Sequence, residues 1–345
     1  MLIFPAHFEV IKTMNKKFKV AVIGCGTIAK THLISLSLIP NCEVTALCDT
    51  VGERAEKYAS EFAKSAKIYT SYIEMLENEE LDAVHICTPH YLHSKMTIDA
   101  LKRGVNVFLE KPLCISQSEI DEMLEAERKS SARASVCFQN RLNDSYLYAK
   151  NIVENSGEKF NAYATVFWYR SKEYYEADEW RGKWATEGGG VMINQAIHTL
   201  DLMISLLGNP KSVTATISNH HLKDTIEVED SSEGVIEFEN GSVGNFYVTN
   251  AAPVGDRITL VLNSKSTKIE IRGQDLSVNG KSIDFPERIS YLDKEYYGSH
   301  HPDIIKNFYE ALSTGADMPV SLKSASKVIK VILAAYKSHD KKIII

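Results

Sequence analysis

The 345-residue chain predicts an α/β protein of two domains. The first is a doubly wound parallel sheet, the second an α+β unit with an open, mainly antiparallel sheet. Two observations predict this. Residues 17–138 alternate short apolar runs with helical patterns, the signature of a parallel sheet covered on both faces. From about Phe160 the runs alternate in polarity and are divided by turn residues, as in antiparallel sheet.

In the first part, "FKVAVIG", "EVTALCD", "DAVHICT", "VNVFLE" and "ASVCFQN" have strand length and apolar or β-branched content. Helical patterns lie between them at 27–38, 52–64, 93–103 and 116–130. "KFNAYATVFWYR" opens the second part as a strand, followed by an aromatic, charged loop. "EGGGVMINQAIHTLDLMISLLG", Glu187 to Gly208, reads as a long buried helix. Asn194, His198, Asp201 and Ser205 interrupt it at spacings of four, three and four, which places all four on one face. "TIEVED", "GVIEFEN", "SVGNFYVTN", "RITLVLNS" and "TKIEIRG" follow as strand candidates, with "ENGS" and "SVNGKS" as turns. Two helices near 302–313 and 321–337 close the chain, and the lack of a flexible linker predicts firm packing between domains.

Composition is 44% hydrophobic and 24% charged, as in soluble globular proteins. A net charge of −6 excludes a global attraction to nucleic acid or anionic membrane. No apolar run has the length of a membrane span. "MLIFPAHFEVIKTM" has no positive residue ahead of its apolar patch, unlike a secretory signal. Residues 1–16 read as an N-terminal extension, with Met14 an alternative start. The six cysteines form no CxxC pair and lack zinc-ligand spacing. They read as small buried hydrophobes in a reducing cytoplasm, with no metal expected.

"KVAVIGCGTIAKTHL" puts Gly24, Gly26 and Ala29 between a strand and a helix whose first residues are Thr27 and Ile28. The first glycine permits a tight turn. The second lets backbone approach a pyrophosphate resting on the helix N-terminus. Asp49 ends the second strand, 25 residues beyond Gly24. A carboxylate there can hold both ribose hydroxyls of NAD and repel the 2′-phosphate of NADP. Arg54 is the nearby cation that would tolerate NADP. "FLEKPL" places Glu110, Lys111 and Pro112 at a strand end, so the lysine faces the crevice where ligands of open α/β sheets lie.

These motifs, with Thr88-Pro89 and His93, the run Gly188-Gly189-Gly190 followed by Asn194, His198 and Asp201, and "HPDIIKNFYEAL", jointly resemble the glucose–fructose oxidoreductase, inositol dehydrogenase and rhizopine-catabolism (Gfo/Idh/MocA) family from Lys17 onward. The resemblance implies an NAD(P)-binding Rossmann domain, 17–138, and a substrate-binding and oligomerisation domain, 139–345. It also implies NAD(P)-dependent oxidation of a sugar or cyclitol hydroxyl. Thr88, Pro89, His93, Glu110 and Lys111 then join Gly24, Gly26, Thr27, Ile28, Asp49 and Arg54 as the expected dinucleotide site. Lys111 and His198 are expected to flank the reacting carbon. An imidazole is poised near neutral pH to take the hydroxyl proton, and a cationic Lys111 favours the alkoxide. The alternative for His198 is a core histidine satisfied by Asp201. The family commonly has aspartate where this chain has Asn194. The asparagine branch includes UDP-sugar 3-dehydrogenases, which suggests ring C3 as the position oxidised, with Asn194 orienting His198 or the substrate.

"WYRSKEYYEADEWRGKW", Trp168 to Trp184, supplies aromatic faces for a pyranose and cations for phosphate or carboxylate. Trp184, Arg141 and His301 join Lys111, Asn194 and His198 as expected substrate contacts. The expected function is an NAD-dependent sugar dehydrogenase of the cytoplasm. The alternatives are a cyclitol dehydrogenase, an NADPH-dependent reductase and a non-catalytic dinucleotide-binding regulator. One sheet face carrying Val235, Tyr247, Thr249 and Val261 has no helix to cover it, so a homodimer or homotetramer is expected.

Overall fold

Apolar runs buried on both faces build the first domain. In the computed structural model, which describes residues 17–253, 258–286 and 300–345, Val20, Ala21 and Val22 have no exposed surface. The expected extension, 1–16, lies outside the described residues. The elements are β1 (Phe18–Ile23), α1 (Thr27–Ser37), β2 (Cys42–Cys48), α2 (Gly52–Phe62), β3 (Lys67–Tyr69), α3 (Tyr72–Asn78), β4 (Ala83–Ile86), α4 (His93–Lys102), β5 (Asn106–Leu109), α5 (Gln117–Lys129) and β6 (Ala134–Val136). All strand pairs are parallel, in the order β3-β2-β1-β4-β5-β6. The order reverses direction between β1 and β4, which opens a crevice at their carboxyl ends. The expected helices agree to within two residues. β3 and α3 had no signal. β3 is a three-residue edge strand without a buried residue, and α3 is a seven-residue helix started by the Ser71 cap.

The second domain comprises α6 (Asp144–Asn155), β7 (Asn161–Phe167), α7 (Lys172–Glu176), α8 (Ile197–Leu207), β8 (Pro210–Ser218), β9 (Ser231–Phe238), β10 (Val243–Thr249), β11 (Ile258–Asn263), β12 (Lys268–Arg272), β13 (Asp275–Val278), β14 (Lys281–Ile283), α9 (His301–Thr314), α10 (Leu322–Ser338) and β15 (Ile343–Ile344). Its sheet runs β14-β13-β12-β11-β7-β10-β9-β8-β15, antiparallel except for β7 beside β10. α8 and α10 cover one face. On the other, Tyr163, Val235 and Tyr247 remain 41%, 39% and 41% exposed. Thr249 and Val261 share that face but are buried. Val261 is paired in register between Tyr163 and Glu270, and Thr249 is hydrogen-bonded to Ser231.

Two expected elements are corrected. "TIEVED" is not a strand. Ile226 and Val228 bury against Tyr175 and Leu222 in a small separate cluster, so the alternation reports burial without a ladder. The helix expected from Glu187 starts only at Val191, because Gly188 and Gly189 have φ of +82° and +151°. Its first turn, Met192–Ala196, is a π-helix that runs into α8. Such turns concentrate at functional sites.

The last helices return to the first domain. α9 packs on α1, α10 packs on α5, and the Val136 N–H donates to the Val320 carbonyl at 2.9 Å. One continuous hydrophobic core joins both domains.

Candidate active site

At the nucleotide end, the chain turns sharply at Gly24 (φ +88°), and a Cβ there would lie 2.7 Å from the Cys87 carbonyl oxygen at the end of β4. Only glycine lets β1 and β4 close at the crevice. Gly26, which precedes α1, faces open space, and a Cβ on it would meet nothing within 4 Å. The α1 N-terminus carries no side-chain cap and no acidic residue in its first turn. Free N–H groups, a positive helix end and empty space in front of them are what a pyrophosphate requires, so the residues fit a dinucleotide. Thr27 and Ile28 form the helix lip and remain partly accessible. Ala29 is buried where close helix–strand packing is needed.

Asp49 is buried, and its carboxylate accepts the Cys25 and Val51 N–H groups, each at 2.8 Å. This aims the group across the crevice. Arg54 stands loosely beside it, 3.8 Å away and largely exposed. Thr88 and Pro89 follow β4, and the Thr88 methyl borders Gly24. His93 does not face open space. Its two ring nitrogens bridge the Pro112 and Thr88 carbonyls at 2.6 and 2.9 Å, tying the two strand-end loops together.

At the chemical end, the Lys111 ammonium donates to the backbone and side-chain oxygens of Asn194 at 2.9 and 3.0 Å. The Lys111–Pro112 bond is cis. Two of the three ammonium hydrogens are thereby used, and among the described residues one position stays free. Burial pushes the Lys111 pKa down to about 8 against the opposing charge of Glu110. Glu110 accepts from His32 at 2.9 Å. Burial alone would raise its carboxyl, but His32, His301 and Lys111 outweigh that and hold it well below the usual range. Behind it, His32 contacts His85 at 2.8 Å, and His85 contacts the Tyr309 hydroxyl at 2.9 Å, all buried. The Cys137 thiol closes on the same point: one ligand-type atom from each of His32, Glu110 and Cys137 lies within 4.8 Å of the others. Burial pushes that thiol far up, so it stays protonated.

His198 sits edge-on to Phe138, with its Nδ1 buried and without a hydrogen-bond partner among the described residues. Burial, then the charge of Lys111, pushes its pKa down to about 3. His301 is the same kind of group: Nδ1 unpartnered, pKa pushed down to about 4 by burial, and within electrostatic range of Glu110.

The polar stripe divides among partners. Asp201 is not the partner of His198. It takes a two-point ion pair from Arg141 at 2.6 and 2.7 Å, and Arg141 also donates to Ser324 at 2.7 Å. Three of the five Arg141 N–H groups thus serve the fold. Ser205 bonds the Tyr146 hydroxyl at 2.8 Å. Asn194 is joined to Lys111, and its amide donates to Glu187 at 2.6 Å. In the aromatic loop, Trp184 packs on Tyr336 and donates to the Glu227 carbonyl at 3.0 Å. Trp180 instead packs on His90, which feels the charges of Lys111 and Arg181.

Two acids went unread in the sequence. Glu187 is fully buried and holds Asn194. Glu229 accepts the Gly190 and Met192 N–H groups and the Tyr336 hydroxyl at 2.8, 3.0 and 3.0 Å, and burial pushes its pKa up to about 7. Glu229 therefore fastens the glycine run and the π turn that carry Asn194. The "ED" in "TIEVED" was the available signal, since acids beside buried apolar residues usually serve a purpose.

Comparison with known proteins agrees with this geometry. Residues 18–138 match the model of an oxidoreductase family with an NAD-binding Rossmann fold, and residues 146–278 match the GFO/IDH/MocA C-terminal domain. The chain is 25% identical over 94% of its length to the uncharacterized oxidoreductase YrbE of Bacillus subtilis, covering 95% of that protein. It is 26% identical over 90% of its length to the NAD(+)-dependent scyllo-inositol 2-dehydrogenase of the same organism, covering 92% of it. The fold superposes with a TM-score of 0.84 on the WlbA dehydrogenase of Bordetella pertussis, solved with NADH and UDP-GlcNAcA, at 24% identity over 96% of this chain and 99% of that one. A parallel sheet with an open phosphate cradle, a crevice lysine and matches in both domains together place this chain in the Gfo/Idh/MocA family of NAD-binding oxidoreductases.

Proposed function

We propose that the chain is an NAD-dependent dehydrogenase that oxidises a secondary hydroxyl of a pyranose sugar or sugar derivative, at ring C3. The observation that carries the reading is Lys111, held by both oxygens of Asn194 with one position free and a pKa of about 8. A regulator that only sensed the dinucleotide would have no use for such a group. The choice of a sugar rests on the aromatic loop, and the choice of C3 on Asn194.

Gly24, Gly26 and the start of α1 would hold the pyrophosphate, with Asp49 holding the adenosine ribose. The dinucleotide supplies the hydride acceptor. Lys111, as free amine, takes the hydroxyl proton at Nζ while the carbon gives up hydride, and the resulting ammonium stabilises residual charge on oxygen. Asn194 aims Nζ, and Glu187 aims Asn194. Neutral His198, its Nδ1 buried, lies within electrostatic range of Lys111 and would face the same hydroxyl. No helix among the described residues is long and apolar enough to cross a membrane. Six unpaired cysteines suit a reducing cytoplasm. The exposed sheet face suits a homodimer or homotetramer.

A cyclitol substrate is the second reading, favoured by the full-length similarity to an inositol dehydrogenase. Oxidation of free sugars, glycosides, UDP-sugars and inositols, followed by NADH or NADPH absorbance, separates the readings. The expected result is turnover of a pyranose, at least about tenfold more efficient with NAD than with NADP. Turnover of inositols alone would move the assignment to cyclitols. Equal use of NADP would show that Arg54 offsets Asp49, and no turnover with any substrate would overturn the reading.

A further inference from the structure

Arg170 follows β7 and is anchored by its backbone N–H, which donates to the Asn250 carbonyl at 3.1 Å. Its guanidinium carbon lies 4.3 Å from the centroid of the Tyr174 ring and 5.4 Å from that of Trp168. Among the described residues no carboxylate pairs with it, and its Nε is buried without an acceptor. A guanidinium N–H removed from water without a partner is costly. Acids elsewhere in the loop and crevice have other partners. Asp178 pairs with Arg181 at 2.8 Å, Glu187 accepts from Gly182 and Asn194, and Glu110 accepts from His32.

Arg181 lies over the same Tyr174 ring, 4.5 Å from its centroid, and 4.6 Å from that of Trp180. The Tyr174 hydroxyl accepts from Arg181 and interacts with Asn194, the residue that holds Lys111. Both guanidiniums act electrostatically on Lys111. Two cations framed by aromatic rings therefore connect, through Tyr174 and Asn194, to the group proposed to take the proton. Rings on either side exclude water and strengthen a charge pair formed there. A planar fork with unused donors matches a carboxylate or a phosphate.

We propose that Arg170 and Arg181 form a subsite for an acid group on the substrate, so that this site takes an anionic sugar carrying a carboxylate or a phosphate. The inference rests on the dehydrogenase reading above and narrows its substrate class. Arg170 is the specificity residue, because among the described residues it is the guanidinium of the two without a protein acid, and Arg181 completes the clamp. A neutral sugar brings the Arg170 guanidinium no counter-charge, whereas an acidic one supplies it.

The test is calorimetric titration of the NADH-loaded enzyme with D-glucuronate, D-glucose 6-phosphate and D-glucose, which reads binding without turnover. At least one acid should bind about tenfold or more tightly than glucose, with an affinity that weakens as salt rises. The stronger of the two acids tells carboxylate from phosphate. Arg170→Met should bring the acid-to-neutral ratio close to one while NADH binding is retained, and Arg170→Lys should recover part of it. Equal affinities for acids and glucose, no binding of either acid, or a ratio unmoved in Arg170→Met would each overturn the subsite. Acid binding that depends on Arg170, but without oxidation of any sugar by the NAD-loaded enzyme, would sustain the subsite and sink the dehydrogenase reading. Oxidation of neutral sugars with equal affinities would do the reverse.

Discussion

In the proposed mechanism Lys111 takes the proton expected of His198, and burial is the reason. An isolated imidazole titrates near neutrality and an isolated ammonium does not. Here desolvation lowers both, to about 3 for His198 and about 8 for Lys111, so the lysine is the group poised near physiological pH. The sign follows from its role. If the free amine accepts the proton, kcat/KM rises as Lys111 deprotonates, and the profile should show an acidic limb with a midpoint near 8. Lys111→Met should lose about 10²–10⁴-fold and show no such limb, while NAD binding persists. His198→Ala should lower the rate and leave the limb in place. Asn194→Asp puts a carboxylate where Nζ now meets an amide oxygen, so the limb should move to higher pH. A limb near 6 that survives in Lys111→Met would return the proton to His198. Lys111, Asn194 and His198 were legible in the sequence because their residue types stand out against apolar surroundings. Their connections were not. Asn194 meets Lys111 from 83 positions away and shows no hydrogen bond to His198, four positions away.

Among the elements, the glycine turn between β1 and α1 separates folding from binding. Gly24→Ala forces a Cβ to 2.7 Å from the Cys87 carbonyl at positive φ, so it should destabilise the protein by about 1–3 kcal/mol. Gly26→Ala meets nothing in the protein and fills the space in front of the helix N-terminus. It should leave the melting temperature within about 2 °C of wild type and weaken NAD binding at least about tenfold. Thermal unfolding and NAD titration of the two variants check this. Tight NAD binding by Gly26→Ala would place the pyrophosphate elsewhere. The motif was readable because its strand–turn–helix context is local. The glycine run was read as the start of a helix, although its conformation is set from outside. Gly190 lies against the Glu229 carbonyl so closely that a Cβ would be 1.8 Å from it. That contact joins segments 39 residues apart, and no periodicity reports it.

At the scale of the whole molecule, the second sheet leaves Tyr163, Val235 and Tyr247 exposed on a face that no helix covers among the described residues. Large exposed apolar groups clustered on one face mark an interface, and a self-complementary sheet face suits a two-fold dimer. Light scattering at micromolar concentration should give a species of at least twice 38.6 kDa. Tyr247→Glu combined with Val235→Arg should shift it to the monomer, and a wild-type mass of 38.6 kDa would exclude this interface. The sequence by itself determined the two sheets, nearly all helix limits in the first domain, the dinucleotide turn and the identity of the crevice lysine. Each of these is encoded within about thirty residues of contiguous chain, in period, turn chemistry or a strand-end motif. Tertiary structure alone decided which acid meets which base. It gave Asp201 to Arg141 and Glu187 to Asn194, and it left the Arg170 Nε without an acceptor among the described residues. It also decided which group is tuned toward neutral pH, because a pKa depends on desolvation and on charges brought near from distant parts of the chain.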